Sequence, residues 1–141
     1  LDTYAETDVY LNEQTVYRPD LCVYARPRAS KSPLRLVTPP DLVVEISSPD
    51  NKAFDLITKR DDYERFGVKE YRAIDPDARP DAATSLESPL RTPSDQHRLR
   101  VRAWHQENGR FIESLVEGDT LASKAIAGFG LNVVPLRVMT R

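Results

Sequence analysis

The stretch PDLVVEISSPDNKAFDLITKRDDYERFGVKEYRAIDP, residues 40 to 76, constrains the fold more than any other part of the chain. Residues 41 to 46 form a near-continuous apolar run, the mark of a strand covered on both faces. Residues 53 to 66 then predict a helix: Asp55 in its first turn and Arg65 in its last suit the helix dipole, and Gly67 suits its end. Residues 70 to 74 predict the next strand, closed by Asp75-Pro76. Two residues break this pattern. Glu45 interrupts the apolar strand. Lys59 falls within the helix face marked by Leu56, Tyr63 and Phe66 on a wheel of ~100° per residue.

The 141 residues fit one domain over 1–141. Upstream, residues 3 to 11 alternate as a strand does, NEQTVYRPD reads as a turn or short connection, and residues 20 to 25 read as a strand. The proline-rich, basic RPRASKSPLRLVTPP reads as a loop, and residues 76 to 97 as a long flexible surface loop. RLRVRAWHQ and RFIESLVE, split by ENG, predict a β-hairpin with Trp104 in its core. TLASKAIAG is expected to be a short helix and LNVVPL a last short strand. No apolar run approaches the roughly 18 residues of a membrane span, and no signal peptide is visible. Cys22 is the only cysteine, which excludes disulfides and points to a reducing cytoplasm. The chain opens on Leu1 with a strand-like pattern, as a fragment or processed chain would.

Asp20, Glu45 and Lys59 stand out chemically. If strands 20–24 and 41–45 pair antiparallel with Tyr24 opposite Asp41, Asp20 falls opposite Glu45. Opposed residues share a face with Cβ atoms ~4.5–5.5 Å apart. Two carboxylates there repel unless a cation lies between them, and Mg²⁺ takes one or two carboxylates plus waters and substrate phosphate. Asp41, four residues from Glu45 and thus about 13 Å away, cannot share that ion and reads as a loop hydrogen-bonder. Taken singly, a lysine in a helix face snorkels and a lone Asp or Glu is solvated. Taken together, Lys59 points an ammonium at a carboxylate pocket, where it orients a water or stabilises charge on a phosphate. Ser47 and Ser48 lack a histidine to activate them. Arg26, Arg28, Lys31 and Arg35 read equally well as a solvated loop or as phosphate-backbone contacts. His97 and His105 read as surface residues. The net charge of −2 is not the footprint of a strongly basic nucleic-acid binder, but a bound cation supplies local positive charge in a carboxylate site.

An Asp after Pro opening one strand and a Glu near the end of the next resemble the PD-(D/E)XK nuclease superfamily. More closely, RPDLCVY, the 40–76 stretch and GDTLAS resemble the Uma-type restriction endonuclease family. The resemblance implies an α/β, restriction-endonuclease-like mixed β-sheet core with one main helix and a C-terminal β-hairpin. It implies Mg²⁺-dependent endonuclease cleavage of DNA. Asp20 and Glu45 become metal ligands, Ile46 offers its backbone carbonyl, and Lys59 supplies the lysine that the superfamily pattern places two residues after the Glu, where this chain has Ser47. The helix that usually starts the superfamily core is not seen before residue 3. DNA is the expected substrate, a homodimer is left open, and no membrane partner is expected. The rival expectation is a catalytically inactive nuclease-fold module that binds DNA or a protein partner. A carboxylate-pair hydrolase acting on sugars fares worse, since its carboxyls stand wider, ~5–9 Å apart.

Overall fold

The computed structural model describes residues 1–26, 35–78, 98–114 and 120–132. A 6-stranded sheet runs in the order β1-β4-β5-β6-β7-β8. Its strands are β1 (Asp2–Ala5), β4 (Leu21–Tyr24), β5 (Leu42–Ile46), β6 (Glu70–Ala78), β7 (Arg98–Glu107) and β8 (Arg110–Ser114). β5 and β6 pair in parallel and the other neighbours antiparallel, so the sheet is mixed, as expected. β2 (Val9–Tyr10) pairs with β3 (Val16–Tyr17), and β9 (Thr120–Ala122) with β10 (Gly130–Asn132), as separate 2-stranded ribbons.

The alternation of side chains along each strand gives the sheet two faces. One carries Cys22, Tyr24, Val43, Tyr71, Ala73 and Trp104, packed under Tyr63 and Leu56 of the helix. The other carries Val23 and Leu42, covered by Ile126 and Phe129 from the β9–β10 region. β5 thus buries both faces, which is why its sequence is apolar almost throughout.

The crossover from β5 to its parallel neighbour β6 carries the helix. Its first half, Phe54–Lys59, is π-helical, and its second, α1, spans Arg60–Arg65. The expectation of a regular helix over 53–66 is corrected in that first half. From the sheet below, the Tyr71 hydroxyl donates to the Asp55 carbonyl (2.9 Å). A side chain engaging the helix's own carbonyl ladder is a recognised cause of such a local distortion. The C-terminus behaves as its sequence suggests. Gly67, at φ 86°, donates to the Glu64 carbonyl, and Val68 to the Tyr63 carbonyl, the paired bonds of a Schellman motif. Glu64 also accepts from the Phe111 N–H (2.5 Å), tying the helix end to the β7–β8 hairpin.

Three further expectations change. NEQTVYRPD contains β3 rather than being only a connection, and its turn is held by Asn12 Oδ1 accepting from the Gln14 and Thr15 N–H groups. β6 does not close at Asp75-Pro76 but runs on to Ala78. Pro76 falls in a register shift between Asp75 and Ala78, where a missing N–H costs the ladder nothing. The rest of the 76–97 loop lies outside the described residues, as do Arg28, Lys31 and His97. Finally, TLASKAIAG is not a helix: it begins as strand β9 and continues as a turn. The Ser123 hydroxyl and the Lys124 and Ala125 N–H groups all donate to Glu70 Oε2 (2.6, 2.9 and 3.0 Å). That tertiary capture overrides the helix propensity of an alanine-rich segment.

Candidate active site

The register of β4 against β5 decides which side chains can meet. Leu21 lies opposite Val44, Cys22 opposite Val43 and Val23 opposite Leu42. This is the pairing anticipated from the sequence, and one step outward from Leu21 and Val44 stand Asp20 and Glu45. The Asp20 carboxylate caps the end of β5, accepting the Ile46 N–H on Oδ2 (2.6 Å). At the opposite end of the same pair, Asp41 Oδ2 accepts the Ala25 N–H (2.7 Å) and Asp41 Oδ1 pairs with Lys69 (2.5 Å), so Asp41 is a loop hydrogen-bonder remote from Glu45.

Glu45 is only 3% exposed. Its Oε1 accepts the Tyr63 hydroxyl (2.8 Å) and the Lys59 ammonium (3.1 Å). Lys59 also lies 2.9 Å from Asp55 Oδ1, so one ammonium bridges two buried carboxylates. Its side chain is 16% exposed, which removes the snorkelling alternative: the charged end points inward. The rings of Tyr17 and Phe54 flank it, with centroids 5.7 and 5.8 Å from Nζ. Beneath the helix an aromatic row runs from Phe54 through Tyr17, Tyr63 and Tyr71 to Trp104, with successive centroids 6.1, 5.5, 5.1 and 5.6 Å apart. It walls the carboxylates on their protein side.

This environment sets the charges. Burial raises the Glu45 pKa above its ordinary value, against the opposing pull of Lys59 and of the Tyr63 hydrogen bond. For Lys59, burial pulls downward, but the bond to Asp55 and the charge of Glu45 outweigh it, and the net shift is upward. Lys59 is therefore cationic across the neutral range. The buried hydroxyls of Tyr63 and Tyr71 are pushed far up, by burial first and then by Glu45, so both remain neutral donors. Asp20 and Glu45 share the side-chain parity of Cys22 and Val43, which lie on the helix side of the sheet.

An acid whose folded pKa is raised destabilises the fold when ionised, and that cost disappears as pH falls below its unfolded value. Glu45→Gln cannot ionise and still offers an oxygen to Tyr63. It is expected to melt at the same or a higher temperature than wild type at pH 7.5, with the difference closing toward pH 4.5, the ordinary value for this carboxyl. Paired thermal melts across that range check this. A lower melting temperature throughout would mean that Glu45 is needed as the ion partner of Lys59.

The donor set suits a hard cation sparingly served by protein. Glu45 commits Oε1, and Asp20 commits Oδ2, to the hydrogen bonds above. The remaining oxygen of each is a ligand of the type Mg²⁺ takes, one or two carboxylates with waters completing the shell. Among the described residues no group of three or more His, Cys, Asp or Glu side chains is gathered as a metal site, so no all-protein cage is formed there. Asp55 and Tyr63 were not singled out by the sequence reading, although both lie four residues from Lys59 and share its helix face. Ser47, Lys52 and Asp75 lie beside this cluster, with Lys52 2.7 Å from Asp75. His105 is away from it, hydrogen-bonded to Ser114 and Glu107. Arg35 stacks over Tyr10 (4.4 Å).

The comparisons with known proteins agree with this architecture. A crystal structure of a putative nuclease belonging to DUF820 from Anabaena variabilis ATCC 29413 superimposes with a TM-score of 0.59 at 15% identity, over 99% of this chain and 69% of that one. At that identity the likeness speaks for the fold alone, a restriction-endonuclease-like mixed sheet with one helix. No curated protein matches the chain. Among the described residues no helix is long and apolar enough to cross a membrane. The family model described as putative restriction endonuclease, Uma2, matches residues 1–134, and the chain belongs to that family.

Proposed function

We propose that the cluster around Glu45 is the centre of a Mg²⁺-dependent endonuclease that hydrolyses phosphodiester bonds of DNA. The observation that carries this reading is the Lys59 ammonium, held 3.1 Å from Glu45 and 2.9 Å from Asp55 at the end of β5. A fold has little to gain from burying three charges that leave two carboxylates for one ammonium, because desolvation offsets most of the attraction. A site that handles a phosphate and a cation gains from it. Asp20, Glu45 and the Ile46 carbonyl are the residues that would hold Mg²⁺. When bound, such an ion would supply Lewis-acid polarisation of a phosphate and make water beside it more acidic. Asp55 and Glu45 hold the Lys59 ammonium over the same spot, ready to stabilise negative charge building on the phosphate. Tyr63 fixes the rotamer of Glu45, and the aromatic row keeps bulk water from the protein side of the carboxylates.

The test is cleavage of supercoiled plasmid and of single-stranded DNA with Mg²⁺, Mn²⁺ or EDTA. Wild type is expected to cut only with a divalent ion, and Asp20→Asn and Glu45→Gln each to lose that activity while remaining folded. Cleavage that persists in EDTA, or in the Glu45→Gln protein, would refute the assignment. DNA binding without cleavage under any divalent ion would leave a non-catalytic nuclease-fold module instead.

A further inference from the structure

Phe54 is 45% exposed. A single apolar side chain at a surface is ordinary and by itself needs no explanation. Its neighbours set this one apart. The Lys59 ammonium lies 5.8 Å from its ring centroid, and Tyr17 meets it edge to face, at 80° with centroids 6.1 Å apart. The same ammonium is 3.1 Å from Glu45 and 2.9 Å from Asp55. The ring therefore stands beside the charged cluster and keeps much of its surface open to solvent.

The π-helical stretch is what puts it there. Phe54 and Lys59 are the first and last residues of that stretch, where the bonding runs from i to i+5. On an α-helix, at ~100° per residue, they would point about 140° apart. Phe54 would then neighbour Ile57 and Thr58 instead. The wider winding brings ring and ammonium within the ~6 Å reach of a cation–π contact.

We propose that Phe54 is a stacking platform for a base of single-stranded DNA, the base of the nucleotide that flanks the phosphate at Glu45. The inference rests on the nucleic-acid reading of that centre and narrows it to unpaired strands. Inside a duplex both faces of a base are covered by its neighbours, and an enzyme reaches one by taking it out of the stack. An unpaired strand offers a free face at every base, so the contact positions the strand without selecting its sequence. Lys59 answers the charge of the phosphate and Phe54 the face of the base, the two ends of one nucleotide.

The experiment measures binding apart from cleavage, in EDTA at low salt. Fluorescent oligonucleotides are titrated with the protein: a single strand, a fully abasic strand of the same length, and a blunt duplex. Phe54→Ala is expected to weaken binding of the single strand about tenfold, the size that base–aromatic stacking shows on alanine substitution. The dependence of log K on log salt should stay the same, because no phosphate contact is lost. Phe54→Leu keeps bulk without a π-face and should lose as much, whereas Phe54→Trp should keep the affinity of wild type. The abasic strand and the duplex should bind all these proteins alike. Phe54→Trp also reports the contact directly. Its emission should be quenched by the single strand and not by the abasic one, over the background of the buried Trp104. Equal binding of the single strand by wild type and Phe54→Ala would overturn the proposal even if wild type cleaves DNA. So would a loss of equal size on the abasic strand or the duplex, or a wild type that does not bind the single strand. The expected losses in a protein that binds but never cleaves would uphold the platform while the catalytic reading fails.

Discussion

Replacing Lys59 with Met is expected to cut Mg²⁺-dependent cleavage by about 10²–10³-fold, the typical cost of losing one preorganised electrostatic stabiliser. Stability should fall with it. A snorkelling lysine would make this swap neutral, because the stem's packing is kept and an exposed charge is lost. Here the ammonium is the shared partner of Glu45 and Asp55, which are 3% and 3% exposed. Removing one member of a buried ionic group leaves uncompensated charge and costs about 3–5 kcal/mol. Part of that should be relieved by Glu45 taking up a proton, since its pKa is already raised by burial. The double variant Lys59→Met/Asp55→Asn separates the two effects. It removes an orphaned carboxylate, so its melting temperature should recover part of the loss, while cleavage should not recover at all. If stability and cleavage rise together in the double variant, Lys59 serves the fold alone and its catalytic role is wrong. Wild-type cleavage by Lys59→Met would be equally decisive.

Why Glu45 and Lys59 were legible in the sequence, and their companions were not, follows from what each interrupts. An acidic residue in Leu-Val-Val-Glu-Ile and a lysine on an apolar helix face contradict the pattern around them, and such contradictions gather at functional sites. The antiparallel register of β4 and β5 rested on setting Tyr24 opposite Asp41, and the pairing of Leu21 with Val44 agrees with it. Asp55 contradicted nothing. An acid in the first turn of a helix is what the dipole favours, and that ordinary explanation hid a carboxylate buried against Lys59. Tyr63 read simply as core, and it is core, but its hydroxyl also orients Glu45. The π-helical segment had no local signature because its evident cause is a tertiary contact, the Tyr71 hydroxyl on the Asp55 carbonyl. The same holds for β9: the alanines of TLASKAIAG carry helix propensity, and only the distant Glu70 explains why the chain turns instead.

Glu70 is also the basis for the largest expected effect on stability. On the sheet face opposite Lys59, Glu70 and Arg72 are 2% and 1% exposed. Glu70 Oε1 takes the Arg72 guanidinium (2.8 Å), and Oε2 takes Ser123, Lys124 and Ala125. Arg72 also donates to the Leu121 carbonyl (3.4 Å) and faces the Phe129 ring. One ion pair thus fastens the β9–β10 ribbon over Leu42 and Val23. Glu70→Ala leaves a buried guanidinium unpaired and several donors without an acceptor. It is expected to cost about 3–5 kcal/mol, a large fraction of the 5–15 kcal/mol typical of a whole domain. Urea denaturation measures that loss. Glu70→Met/Arg72→Met removes both charges at similar volume and should recover the ionic part, since such replacements are often neutral. It cannot restore an acceptor for Ser123, Lys124 and Ala125. Limited proteolysis should therefore still cut between residues 120 and 130 in the double variant, and far more slowly in wild type. A double variant as resistant as wild type would show that Ile126 and Phe129 hold the ribbon by packing alone, and that the acceptor role of Glu70 is dispensable.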